Sequence, residues 1–212
     1  MALREEHKKK DAKIVAILKK LFPRAKIALK YSNNIELLVA VILSAQCTDK
    51  KVNEVTEKLF KKYTAFKDYL RADPRIFEQD IRQCGFYRMK AKNILGALKI
   101  IKEKFGGKVP NTMKEIITLP GVARKTANVV LGNAYGVVEG IAVDTHVKRL
   151  TKKLGLTNET DPVKIERDLM AILPKKEWFS FTYRLINYGR EYCTARPHKH
   201  HECPLVKKKL QD

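Results

Sequence analysis

Apolar residues recur along this chain at intervals of three and four, with no convincing two-residue alternation. That period predicts amphipathic helices. Asp11 precedes a stripe of Ile14, Ile17, Leu18 and Leu21. Asn34 is placed to cap the run Ile35–Leu43, which is apolar on most faces and reads as a central buried helix. Asp49 opens a further helix carrying Val52, Val55, Leu59, Phe60 and Tyr63. Asp73-Pro74 and Asp161-Pro162 each set a capping carboxylate ahead of a proline at the first helical position. The first leads Ile76, Phe77 and Ile81 and stops near Gly85; the second leads Ile165, Leu169 and Ile172. Residues 87–105 continue the pattern to Gly106-Gly107, and Thr112 begins a short helix to Leu119. Gly121 turns the chain into the next helix, and a final one around Trp178–Tyr192 precedes a tail rich in His, Lys and Pro. The predicted fold is all-α. No internal repeat or long linker interrupts it, and Gly132, Gly136 and Gly140 flank the expected domain boundary.

Charge changes the picture. Lys+Arg 44 against Asp+Glu 23 leaves a net +21. A balance this basic points to a polyanion such as DNA, the alternative being a surface that is merely soluble. No apolar run approaches the ~20 residues of a membrane span, and the first ten residues lack the apolar core of a signal peptide. The expectation is an intracellular protein, cytoplasmic or nucleoid-associated, without membrane contact. Four cysteines in 212 residues do not make a disulfide framework. Cys47 and Cys84 lie in or beside apolar segments and read as core thiols.

The chemistry concentrates in Leu119-Pro-Gly-Val-Ala-Arg-Lys-Thr-Ala-Asn-Val-Val130 and, thirteen residues on, Val143-Asp144-Thr145-His146. A tight Pro-Gly turn opening a helix presents free N–H groups to a phosphate without reading base sequence. Lys125 adds an amine in the helix's first turns. A lysine becomes nucleophilic when burial and cationic neighbours favour its free amine, and Arg124 is such a neighbour. Alone, Lys125 also reads as a solvated helix lysine and Asp144 as the N-cap of a helix starting at Thr145.

Together these residues resemble the signature of endonuclease III, a DNA repair glycosylase of the helix-hairpin-helix superfamily. Leu43-Ser-Ala-Gln-Cys-Thr-Asp49 is similar to that family's Leu-Ser-x-Gln-x-Thr-Asp segment, and Gly85-Phe-Tyr-Arg-Met-Lys-Ala91 to its Gly-x-Tyr-x-x-Lys-Ala segment. Tyr188–Pro197 resembles the lead-in to its metal site, so the anchors span nearly the whole chain. The chain departs from the pattern at Ala123, where the second small position of the hairpin turn is usually glycine.

The resemblance implies two helical domains with DNA in the cleft between them. One, at 27–136, is barrel-like and carries the hairpin; the other combines 1–26 with 137–212. It implies that Lys125 attacks the deoxyribose C1′ and expels the base, and that Asp144 assists by taking a proton or stabilising charge on the sugar. Gln46 would fill the gap left by the flipped nucleotide and Phe86 would wedge the opposite strand. Tyr87, Gly121, Ala123, Thr126, Thr145 and His146 are the further expected DNA contacts. The expected partner is duplex DNA with damaged bases or abasic sites, met by a monomer, and the expected lesions are oxidised pyrimidines. Two alternatives stay open: a glycosylase for oxidised purines or mismatches, and a non-catalytic DNA-binding module, which would have no need of Lys125 with Asp144.

Endonuclease III relatives carry a [4Fe–4S] cluster on Cys-x6-Cys-x2-Cys-x5-Cys. Counted from Cys193, these positions are His200, Cys203 and Lys209, so two thiolates are missing. No cluster is expected, and so neither cofactor nor metal ligand; zinc on Cys193, His200 and Cys203 is the lesser alternative. The tail histidines, with Arg196, Lys199, Lys207, Lys208 and Lys209, otherwise read as solvated groups near DNA phosphates.

Overall fold

The computed structural model describes the backbone of residues 2–207 and the side chains of residues 11–207. Among these residues there are twelve α-helices and no strand: α1 Ala2–Leu21, α2 Asn34–Leu43, α3 Asp49–Lys62, α4 Phe66–Leu70, α5 Pro74–Asp80, α6 Tyr87–Lys104, α7 Met113–Ile116, α8 Arg124–Tyr135, α9 Thr145–Leu154, α10 Pro162–Ile172, α11 Lys175–Glu191 and α12 Pro204–Lys207. No helix is long and apolar enough to cross a membrane. Two compact units result. One is the continuous stretch Ala28–Glu139; the other joins the residues up to Ile27 with those from Gly140 onward.

The continuous unit is organised round α2. Its residues from Glu36 to Leu43 are all buried, as the continuous apolar run requires. Its N-cap is Asn33, one residue earlier than expected, because Asn33 takes the extended backbone and Asn34 is already helical. The Asn33 side chain accepts from the Glu36 N–H at 2.9 Å, and the Glu36 carboxylate accepts from the Ser32 N–H at 2.6 Å, so two donors at the helix start are satisfied reciprocally. α3 opens at Asp49 as expected, and Thr48 caps it, its hydroxyl accepting from the Lys51 N–H. Asp73 and Asp161 cap α5 and α10 as predicted, each accepting two backbone N–H bonds ahead of proline. α8 packs on α2, while α6 carries Ile94, Leu98 and Ile101 into the same core.

The discontinuous unit buries Ile14 and Leu18 of α1 with Val147, Leu150, Leu154, Leu169, Phe181, Leu185 and Tyr188. A buried ion pair within α11 is extended to α1 by an exposed lysine. Glu177, in the first turn of α11, accepts from Arg184 Nη1 at 2.5 Å and lies 3.6 Å from Lys19 Nζ. Burial pushes the Glu177 carboxyl up, but Arg184 and Lys19 outweigh it and hold the carboxyl below its ordinary range. A depressed carboxyl contributes stability above the unfolded-state pKa, and loses it as pH falls through the folded value. Glu177→Gln therefore costs about 2–4 kcal/mol at pH 7. The gap between wild type and variant closes in denaturant titrations run at progressively lower pH below about 4.5.

Candidate active site

The hairpin joins α7 to α8 through 117–123. Gly121 sits at φ 77°, in the left-handed region that favours glycine, and a Cβ there would lie 2.9 Å from the Asn93 Cβ on α6. One turn further along α6, Gly96 faces the Pro120 ring, which a Cβ there would meet at an ordinary contact distance of 3.6 Å. Asn93 and Gly96 thus form the seat on which the turn is fixed, and Val122 N–H closes it on the Leu119 carbonyl at 3.1 Å. Ala123 is the N-cap of α8 and its side chain makes no capping hydrogen bond. Ala123, Arg124 and Lys125 are exposed and Thr126 is half-buried. The expectation that burial assists Lys125 is thereby corrected: its amine stands in solvent, held by a backbone seated on Asn93 and Gly96.

Asp144 is the N-cap of α9, with its Oδ1 accepting from the Val147 N–H at 2.8 Å. Buried Val143 precedes it and buried Val147 follows, which anchors the carboxylate on both sides. Thr145 is exposed in the first turn. His146 is half-buried against α11, where a Cβ on Gly189 would come within 2.6 Å of its Nδ1. The imidazole is thus part of the α9–α11 contact.

Gln46 and Phe86 share a property that the sequence did not reveal. Among the described residues they are the two non-glycine positions with positive φ, at 52° and 46°. Such backbone costs of order 1 kcal/mol or more and collects at functional positions. Both side chains are exposed, Phe86 to 69%, which removes the core-packing reading of Phe86. Tyr87, half-buried, begins α6 beside it. A buried lysine ties the two turns together. Lys90 Nζ donates to the Leu43 carbonyl at 2.8 Å, at the end of α2 before Gln46, and to the Cys84 carbonyl at 2.6 Å, two residues before Phe86. Sequence reasoning quoted Lys90 within a motif and gave it no role. A cavity of about 530 Å³ lined by Glu36, Tyr63, Tyr69 and Tyr135 includes none of these residues.

All four cysteines are free thiols. Cys84 is buried against Cys47, and burial first, then Cys47, pushes its thiol up to about 12. In the discontinuous unit, Cys193, His198, His200 and Cys203 bring one donor atom each within 4.8 Å of one another. Of the three tail histidines that could join the two thiols, His198 and His200 are in the group, whereas His201 is exposed and lies 3.8 Å from Glu202. Two thiols and two imidazoles do not fit a four-thiolate iron–sulfur cluster, and Lys209 lies outside the described residues.

A helical chain built round a seated Pro-Gly hairpin of this kind is a helix-hairpin-helix protein. The HhH-GPD superfamily base excision DNA repair profile matches residues 39–175. Endonuclease III of Synechocystis is 51% identical over 199 residues, covering 94% of this chain and 91% of the relative. Endonuclease III of Bacillus subtilis is 49% identical, covering 88% and 85%. Two solved structures, a non-covalent endonuclease III–DNA complex and a trapped endonuclease III–DNA covalent intermediate, superpose with TM-score 0.89 at 42% and 43% identity, covering 97% of this chain and 99% of theirs. The chain belongs to the endonuclease III family.

Proposed function

We propose that this protein removes oxidised pyrimidines from duplex DNA and then cuts the abasic site it has made. The broader activity is that of its family, a DNA glycosylase and AP lyase of base-excision repair. The observation that carries the glycosylase and lyase chemistry is Lys125: an exposed amine one residue into a helix whose turn is fixed on Asn93 and Gly96. The N–H groups at that helix start suit a DNA phosphate, which would hold the backbone while the amine meets the sugar. Solved structures of relatives at 42–43% identity include a trapped covalent DNA intermediate, which supports an attacking side chain.

In this reading the damaged nucleotide leaves the stack, since its C1′ is out of reach within the duplex. Lys125 Nζ forms a bond to C1′ as the C1′–base bond breaks. Ring opening gives an iminium, loss of a C2′ proton follows, and the 3′ phosphate departs by β-elimination. Asp144 would accept the proton that Lys125 sheds or balance positive charge on the sugar, the role the family resemblance gives it. Gln46 enters the vacated stack and Phe86 wedges the opposite strand, both from backbone already set in the left-handed region. Tyr87, Thr126, Thr145 and His146 would contribute further DNA contacts, and the protein acts as a monomer.

Borohydride reduction of the iminium tests the lesion class. Wild-type protein forms a covalent adduct with duplex DNA containing thymine glycol at least ~10-fold faster than with an 8-oxoguanine duplex. The reverse order assigns the site to oxidised purines.

A further inference from the structure

The geometry points to a closed, four-coordinate zinc site on Cys193, His198, His200 and Cys203, in the place where relatives would carry a cluster. The donors are already gathered. Cys193 Sγ lies 3.6 Å from His200 Nδ1, and no donor of the four is more than 4.8 Å from another. Zn–S bonds of ~2.3 Å and Zn–N bonds of ~2.0–2.1 Å at tetrahedral angles separate donors by about 3.3–3.8 Å, so shifts of roughly 1 Å or less close the set. A cluster spreads its ligands over several irons, which places them farther apart than donors sharing one ion.

His198 is the decisive residue. Its Nδ1 lies 2.9 Å from the Arg196 carbonyl, which fixes the proton on Nδ1 and leaves the lone pair on Nε2. That Nε2 is buried with no hydrogen-bond partner. A polar atom in that position costs free energy unless something fills it, and a metal ion does. His200 supplies Nδ1. Two neutral imidazoles and two thiolates balance one Zn²⁺, and the two thiol protons are released to solvent on binding.

The frame around the donors is firm. Arg149 reaches across from α9 with Nη2 on the Cys193 carbonyl at 2.6 Å and Nη1 on the Thr194 carbonyl at 3.3 Å. The Cys203 N–H bonds the His200 carbonyl at 3.0 Å, closing the single 3₁₀ turn His200–Glu202 between two ligands. Tyr188 Oη accepts from the Leu205 N–H at 3.2 Å, tying the end of the tail to α11. The spacing Cys-x4-His-x-His-x2-Cys uses His200 at the second family position and Cys203 at the third, and takes its fourth donor from 198 rather than 209. With four protein ligands there is no open position, so the ion is structural.

The test uses the full-length chain without a histidine tag. Elemental analysis gives close to one zinc per chain and negligible iron, and dialysis against a strong chelator lowers the thermal midpoint by roughly 10 °C, restored by zinc. The cobalt(II)-substituted protein shows the visible bands of a tetrahedral thiolate complex. His198→Asn, at a half-exposed position where folding tolerates change, holds zinc at least ~10-fold more weakly against a competing chelator. Cys203→Ser loses the thiolate bands in part. Four irons with inorganic sulfide per chain, a wild type that retains no metal, or a His198→Asn protein that holds zinc as tightly as wild type would each overturn the assignment.

Discussion

Lys125→Ala eliminates the borohydride-trapped adduct and strand cutting at abasic sites, a fall on the order of 10⁴-fold or more, as expected when a catalytic nucleophile is removed. The side chain is exposed and its backbone is held by Asn93 and Gly96, so folding stability changes by no more than about 0.5 kcal/mol. DNA affinity falls little, because the hairpin's N–H groups remain in place. The informative measurement is the pair: trapping by gel shift under reduction, and equilibrium binding to an uncleavable abasic analogue. Loss of both in parallel would make Lys125 a phosphate contact and refute its role as nucleophile. Lys125→Arg sharpens this, since it keeps the charge for phosphate and lacks the reactive amine.

The second large effect belongs to Lys90. Lys90→Met keeps the length and burial of the side chain but withdraws the donors from the Leu43 and Cys84 carbonyls. Each of the two carbonyls left without a partner costs ~1–3 kcal/mol, so the variant is less stable by about 2–6 kcal/mol, read from denaturant midpoints. Burial pushes the Lys90 amine below its ordinary value, which means the folded protein resists charging it. Part of the wild-type stability therefore appears only as pH rises toward 10.5, and Lys90→Met flattens that alkaline gain. The functional signature is selective. With the turns bearing Gln46 and Phe86 no longer tied to one amine, excision from a thymine glycol duplex falls ~10–100-fold. Trapping on a single-stranded abasic oligonucleotide, where no base must be extruded, changes several-fold at most. Equal losses on both substrates would separate Lys90 from nucleotide flipping.

Local signals in the chain were read well where the physics is local. A capping carboxylate before proline announces a helix whatever packs on it, so α5 and α10 begin where Asp73 and Asp161 place them. α3 begins at Asp49 as expected, whereas the cap of α2 falls at Asn33 rather than Asn34, because both side chains can cap and only the backbone dihedrals choose between them. α4 was missed because Phe66–Leu70 is scarcely more than one turn and shows no period. The site divides along the same line. Lys125 and Asp144 lie in recognisable local patterns. The strained φ of Gln46 and Phe86 is paid for by the fold around them and leaves no trace in residue type. Lys90 binds a carbonyl 47 residues away, a relation no window of sequence contains. Residue type alone does not choose among His198, His200 and His201, and the value of His198 as a donor arises from the Arg196 carbonyl that orients its ring.

The unit assembled from both ends of the chain has a consequence for biosynthesis. Ile14 and Leu18 leave the ribosome early, yet the residues that cover them, from Val147 to Leu205, are made last. At ~5–20 residues per second the amphipathic stripe of α1 stays uncovered for roughly ten seconds or more, while the stretch from Ala28 to Glu139 has all the partners it needs to fold. α1 is thus open to chaperones during synthesis until α11, on which it packs, has been made.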